Sequence, residues 1–252
     1  MLPYERQARL LELFQSGRVV SPEDIMQEFG VSIATARRDL KRLETQKQIK
    51  KVYGGAILLH QTEDAPLRER MILHQKQKAA IGRAAANLVN DGEFVILDSG
   101  TTNRHVAAAL KSKHDLTVVT NSFLVSDELV NSDVSLIVLG GQLRKDELSL
   151  VGTSTVDMLD NYQAAKCFIS VGGLSLSYGV SDFLADEIAV KKKCIQRSCK
   201  VYLIADSSKF DYVAPCHLCE LTAPDAIITD ADLPAEKVKA FQSAGCRLII
   251  AE

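Results

Sequence analysis

The chain has 252 residues, 46% of them hydrophobic, with 30 Lys and Arg against 32 Asp and Glu, and six cysteines. That length suits two domains and that apolar fraction suits a proper core. No apolar run approaches membrane-spanning length and Tyr4–Arg9 is too polar for a secretory leader, which excludes a helical membrane span and sets the expectation of a cytoplasmic protein with reduced, core-filling thiols.

The net charge of −2 conceals an asymmetry. Residues 1–59 carry 10 basic and 7 acidic side chains, leaving 20 against 25 for the remainder. The basic excess is therefore local, as in a small nucleic-acid module attached to an acidic body. A first helix is expected over about 4–15, with Leu10, Leu11, Leu13 and Phe14 to pack beneath the rest of this module. Ser21-Pro22-Glu23-Asp24 supplies an N-cap, a proline at the first helical position and an acid at the third, predicting a helix over 22–29 that Gly30 ends in the left-handed conformation. Ser32 then caps a second helix, a helix-turn-helix spacing.

On that second helix Ala36, Leu40 and Leu43 share an inward face, while Thr35, Arg38 and Lys41 lie away from it and Ala34, Arg37 and Arg42 border it. Arginine grips guanine through two hydrogen bonds, threonine offers a hydroxyl and a methyl, and alanine lets the backbone approach a groove. A solvated amphipathic helix would show the same charge run. The next residues tip the balance: Gln48–Ile57 reads as a basic strand, a glycine turn and a return strand, which makes a winged helix. Ser32, Ala34, Thr35, Arg37, Arg38, Lys41, Lys50, Lys51 and Tyr53 are the expected DNA-contacting residues, the wing lysines against phosphates and the helix against bases.

A polar linker over 60–77 separates residues 1–59 from an α/β domain over 78–252. There, short apolar runs at 94–97, 116–119, 134–139, 167–171, 201–205, 226–228 and 247–250 alternate with helical patterns near 78–89, 103–110, 123–131, 186–198 and 235–244, predicting a mainly parallel sheet. Five runs end in small, polar or charged groups: Asp98-Ser99-Gly100-Thr101-Thr102, Thr120-Asn121-Ser122, Gly140-Gly141, Gly172-Gly173 and Asp206-Ser207-Ser208-Lys209. Ligands of open α/β sheets bind at the carboxyl edge, so these loops should converge. A helix opening at Thr101 favours a phosphate, Lys209 supplies charge, and Asp98, Asn121 and the glycine pairs suit hydroxyls and close backbone approach. A phosphorylated sugar fits best. Each loop taken alone is also an ordinary turn, and Asp206 could simply cap the one after it. Cys216-His217-Leu218-Cys219 lacks a second pair at zinc spacing, so neither a metal nor a cofactor is expected.

Taken together, Thr35-Ala36-Arg37-Arg38-Asp39-Leu40, Leu43-Glu44, Tyr53-Gly54-Gly55-Ala56, Asp98–Thr102, Thr120-Asn121, Gly140-Gly141 with Arg144, Gly152 and Asp206–Phe210 resemble the DeoR family of bacterial sugar-metabolism repressors over nearly the whole chain. The resemblance implies an N-terminal winged helix and a C-terminal domain similar to the ribose-5-phosphate isomerase fold. It also implies a phosphorylated sugar as effector, operator DNA as partner, and a homo-oligomer, dimer or tetramer. Arg144 and Glu187 enter the effector set through it. Two departures are visible: Ala36 stands where the family has a larger aliphatic residue, and Ala189 where a second glutamate is frequent. The rival reading is a sugar-phosphate isomerase with an accessory helix-turn-helix. It lacks a carboxylate in Gly172–Ser177, where proton transfer would need a general base.

Overall fold

The computed structural model describes residues 6, 9–10, 13–14, 20–45, 49–52, 55–58 and 66–252. The chain divides into two compact units, residues 1–62 and 63–252.

In the first unit Arg6, Leu10 and Phe14 are helical; the rest of the helix expected over 4–15 falls largely outside the described residues. Helix α1 (Pro22–Phe29) opens on a reciprocal cap, in which Asp24 N–H donates to Ser21 Oγ at 3.0 Å and Ser21 N–H donates to Asp24 Oδ2 at 2.7 Å. It closes at Gly30, with φ 63°. Helix α2 (Ile33–Thr45) follows, then antiparallel strands β1 (Ile49–Val52) and β2 (Gly55–Leu58), with Val52 opposite Gly55. Gly55 lets β2 lie against Val20, because a Cβ there would sit 2.4 Å from the Val20 carbonyl oxygen. Leu10, Phe14, Val20, Ile25, Ala36, Leu40, Leu43, Ile49 and Ala56 form the core of this unit. Beside it Arg6 Nε donates to Asp39 Oδ2 at 2.6 Å and Nη2 to Oδ1 at 3.2 Å, a buried fork pair joining the first helical residues to α2.

The second unit opens with α3 (Leu67–Ile72) and α4 (Gln75–Ala86), so residues 67–72 and 75–77 of the expected linker are helical. The stabilising contact is buried Lys78, whose Nζ donates to the carbonyls of Arg70 at 2.5 Å and Leu73 at 3.0 Å, satisfying the end of α3. There follow β3 (Phe94–Leu97), α5 (Thr101–Leu110), β4 (Thr117–Thr120), α6 (Phe123–Leu129), β5 (Ser135–Val138), β6 (Gln142–Arg144), β7 (Ser149–Val151), α7 (Thr153–Leu159) and β8 (Ala164–Ser170). The chain continues through β9 (Gly173–Ser175), β10 (Gly179–Asp182), α8 (Ala185–Gln196), β11 (Ser198–Ile204), β12 (Cys216–Cys219), β13 (Ala226–Asp230), α9 (Ala235–Ser243) and β14 (Leu248–Ala251).

Seven strands form one parallel sheet in the order β14-β13-β11-β8-β3-β4-β5. Helices cover both faces, which is why the strands read as continuous apolar runs. Val95 and Leu97 point into one core with Ile81, Val106 and Val125; Ile96, between them, points into the other with Leu159, Ile188 and Phe241. The chain starts at β3, winds outward through β4 and β5, and returns at β8 to wind outward the other way. The carboxyl ends of β3 and β8 therefore flank the point where strand order reverses, the crevice that open α/β sheets use for ligands.

Candidate effector site and nucleic-acid interface

Ser32 caps α2: Thr35 N–H donates to Ser32 Oγ at 3.3 Å and the two hydroxyl oxygens lie 3.0 Å apart. With Ala36, Asp39, Leu40 and Leu43 buried, Ser32, Ala34, Arg37, Arg38, Lys41 and Arg42 are exposed and Thr35 half-buried. Buried Ala36 fills an inward position of α2. Lys51 Nζ lies 2.5 Å from Glu44 Oε2, an exposed pair between wing and helix. Tyr53 and the Lys50 side chain lie outside the described residues.

At the strand-reversal point Asp98, Ser99, Thr101 and Thr102 are all buried. Gly100 is required there: its φ is 125°, and a Cβ would come 2.7 Å from Ser170 Oγ at the end of β8. This close approach sets the first turn of α5 beside the β8 loop, with Asn103 Nδ2 donating to the Phe168 carbonyl at 3.1 Å and to Ser170 Oγ at 3.2 Å. From the other side comes α8, and with it a residue that sequence reasoning missed. Lys191, 2% exposed, donates from Nζ to Asp98 Oδ2 at 2.5 Å and to the Ser170 carbonyl at 2.9 Å, and stands 3.2 Å from Asp182 Oδ2. One helical turn earlier, Glu187 Oε1 accepts from Ser149 Oγ at 3.0 Å and lies 2.8 Å from Arg144 Nη1.

The result is a buried network of three carboxylates and two cations. Burial pushes the Asp98 carboxyl up, to about 6, reinforced by Glu187 and Asp182 and opposed by Lys191. Burial works against the Lys191 ammonium too, but Asp98, Asp182 and Glu187 outweigh it and hold the lysine protonated. Asp182 belongs here although it stands well down the sequence from β8. The β9–β10 hairpin folds it back, so that a Cβ on Gly172 would meet Asp182 Oδ1 at 3.1 Å and the Phe183 ring at 2.8 Å. Gly173 likewise lies against the Tyr212 carbonyl, 2.4 Å from where a Cβ would be, which lays the Asp206–Tyr212 stretch alongside it. Asp206 Oδ1 accepts from Ser208 N–H at 3.1 Å, capping the single 3-10 turn Ser207–Lys209 on which half-buried Lys209 sits.

Asn121, Gly140 and Gly141 meet the chain itself. Asn121 Nδ2 donates to the Leu150 carbonyl at 3.0 Å, and Thr155 Oγ1 donates to the Gly140 carbonyl at 2.7 Å. At Gly141, φ is 147° and a Cβ would overlap Thr155 Oγ1 at 1.9 Å. A bulge in β12 sets Cys216 opposite Asp182 and Cys219 opposite Val180, and among the described residues no three His, Cys, Asp or Glu side chains converge as metal ligands.

A family model described as the DeoR C terminal sensor domain matches residues 73–231, and one described as the DeoR-like helix-turn-helix domain matches residues 6–62. The chain belongs to the DeoR family. It is 32% identical over 254 residues to the HTH-type transcriptional regulator GolR of Listeria innocua, covering 100% of both chains. It is 31% identical over 231 residues to the glycerol-3-phosphate regulon repressor of Escherichia coli, covering 91% of this chain and 92% of that one. Among solved structures, ribose 5 phosphate isomerase A from Neisseria gonorrhoeae aligns over 53% of this chain and 52% of its own, with 16% identity and a TM-score of 0.40. The DeoR-family match makes this chain a transcriptional regulator with a helix-turn-helix domain and a sensor domain, not an enzyme. Among the described residues no helix is long and apolar enough to cross a membrane.

Proposed function

We propose that this DeoR-family regulator is a cytoplasmic repressor of a carbohydrate-utilisation operon, binding operator DNA as a homo-oligomer and sensing a phosphorylated sugar or related metabolite. On the DNA side, α2 enters the major groove with Ser32, Ala34, Thr35, Arg37, Arg38 and Lys41, while Lys50, Lys51 and Tyr53 of the wing lie along phosphates. The exposed Lys51–Glu44 pair is worth little in water and gives way readily to a phosphate.

On the sensor side, the free N–H groups at the start of α5, with Ser99, Thr101 and Thr102, hold the phosphate, and Arg144 and Lys209 add positive charge. Asp98 and Glu187 face the hydroxyls, and Gly172 and Gly173 let the end of β8, Asp182 and the Asp206–Tyr212 stretch close in around them. The observation that carries this reading is the α5 N-terminus set beside a carboxylate and a buried cation where the strand order reverses. Ligand shifts the population between oligomer arrangements that do and do not match operator half-sites. A melting-temperature screen against phosphorylated sugars and polyols and their unphosphorylated counterparts tests it. Stabilisation confined to phosphorylated compounds is expected. A silent panel would leave the second unit as an assembly domain.

A further inference from the structure

We propose that the β6–β7 hairpin is the arm through which occupancy of the sensor pocket reaches the segment after residues 1–62, with Arg70 and Glu147 as its coupling residues; this rests on the pocket assignment above. One end of the hairpin is anchored at the pocket. Arg144 on β6 and Ser149 on β7 both meet Glu187 Oε1, so one carboxylate oxygen grips both strands. Arg144 Nη1 is buried, and although 2.8 Å from Glu187 it makes no hydrogen bond of acceptable geometry. A buried guanidinium nitrogen held by charge but not by a directed bond is poised to turn toward an incoming anion.

The other end of the hairpin is anchored on α3. Glu147, in the connecting turn, pairs with Arg70, the two side chains being 20% and 13% exposed. The turn is stiffened by Glu147 N–H donating to the Arg144 carbonyl at 3.3 Å, so the two anchoring residues move together. Helix α3 is the first described element of the second unit, and Lys78 clamps its last carbonyls. It also packs on α5, whose N-terminus opens into the same pocket. Both contacts on α3 thus lead back to one site. Drawing Arg144 from Glu187 loosens the hairpin's grip, and the Arg70–Glu147 pair transmits this to α3 and onward along the chain.

Hydrogen exchange of the full chain reads the coupling without any ligand. The reporters are the amides of Arg70 and Leu73, bonded to the carbonyls of Pro66 and Glu69. Arg144→Gln and Glu147→Gln should each speed their exchange about fivefold, as expected for losing one half-buried ion pair in a locally opening helix. The double variant should be no faster than either alone. Should Arg144→Gln fold poorly, Glu187→Gln makes the same cut from the other side. Unchanged exchange in α3, or additive effects, overturns the proposal. On a duplex selected by the wild-type chain from a random pool, Glu147→Gln should change affinity about threefold or more with residues 1–62 untouched, a modest coupling. An unchanged affinity also overturns the proposal, whereas failure to select any duplex sinks the DNA-binding reading instead.

Discussion

Lys191 offers the sharpest test of how the sensor unit is held together. Replacing it with methionine keeps most of the aliphatic stem and removes the charge, leaving Asp98 and Asp182 buried side by side without their cation. Removing one partner of a buried pair costs about 3–5 kcal/mol, because the remaining charge stays out of water. At about 2–4 °C per kcal/mol for a unit of this size, the melting transition should fall by about 6–20 °C. The deficit also has a sign in pH. A carboxyl whose pKa is higher folded than unfolded favours the folded state below its unfolded value and loses that advantage as pH rises through the folded one. Asp98 already stands at about 6 with its lysine present, so without Lys191 its carboxyl moves higher and the deficit grows from pH 5 to pH 8. Adding Asp98→Asn to the methionine variant should recover about 1–3 kcal/mol, since one of the uncompensated charges is gone. Calorimetry of the three proteins at both pH values settles the matter. A Lys191→Met protein that melts within about 2 °C of wild type at pH 8, or whose deficit ignores pH, would refute the reasoning.

Two further outcomes rest on the same geometry. Gly141→Ala should destabilise the second unit by about 2–4 kcal/mol in urea denaturation, because φ of 147° and an overlap with Thr155 Oγ1 act together; a neutral variant would show that the turn before β6 can relax. A thiol reagent at pH 8 should modify exposed Cys199 first by mass spectrometry and leave Cys167 and Cys194 untouched in the folded protein, since burial pushes Cys167 up to about 12 and Cys194 well above its ordinary value. Early adducts on either buried cysteine would contradict the packing between β8 and α8.

What was legible beforehand was local. Ser21, Gly30 and Ser32 announce α1 and α2 because caps and left-handed turns are written in single residues, and the seven sheet strands show as apolar runs because both their faces are buried. The short hairpins were invisible for the opposite reason. Strands of three residues beside glycines, such as Gln142–Arg144 and Gly173–Ser175, carry too little pattern to separate from loops. Helix α7 hid behind Gly152, and α3 lay in a stretch whose charged residues read as linker. Lys191 sits in a run of three lysines and looks like solvated surface. Its distinction is phase: it falls four residues after Glu187 and three before Cys194, on the buried face of α8. That phase was readable, but its meaning depended on Asp98, 93 positions away. The Arg6–Asp39 pair, 33 positions apart, was hidden for the same reason, as was the return of Asp182 to the end of β8.

The most direct test of a sensor that governs DNA binding is the affinity of the full-length chain for its selected duplex at fixed salt, titrated with glycerol 3-phosphate, ribose 5-phosphate and their unphosphorylated counterparts. At least one phosphorylated compound should change that affinity about fivefold or more. The Thr101→Asp chain, with a carboxylate at the proposed phosphate position, should bind the duplex as wild type does and no longer respond. A sugar phosphate that binds and stabilises the wild-type protein yet leaves duplex affinity unchanged would contradict the coupling of sensor to DNA.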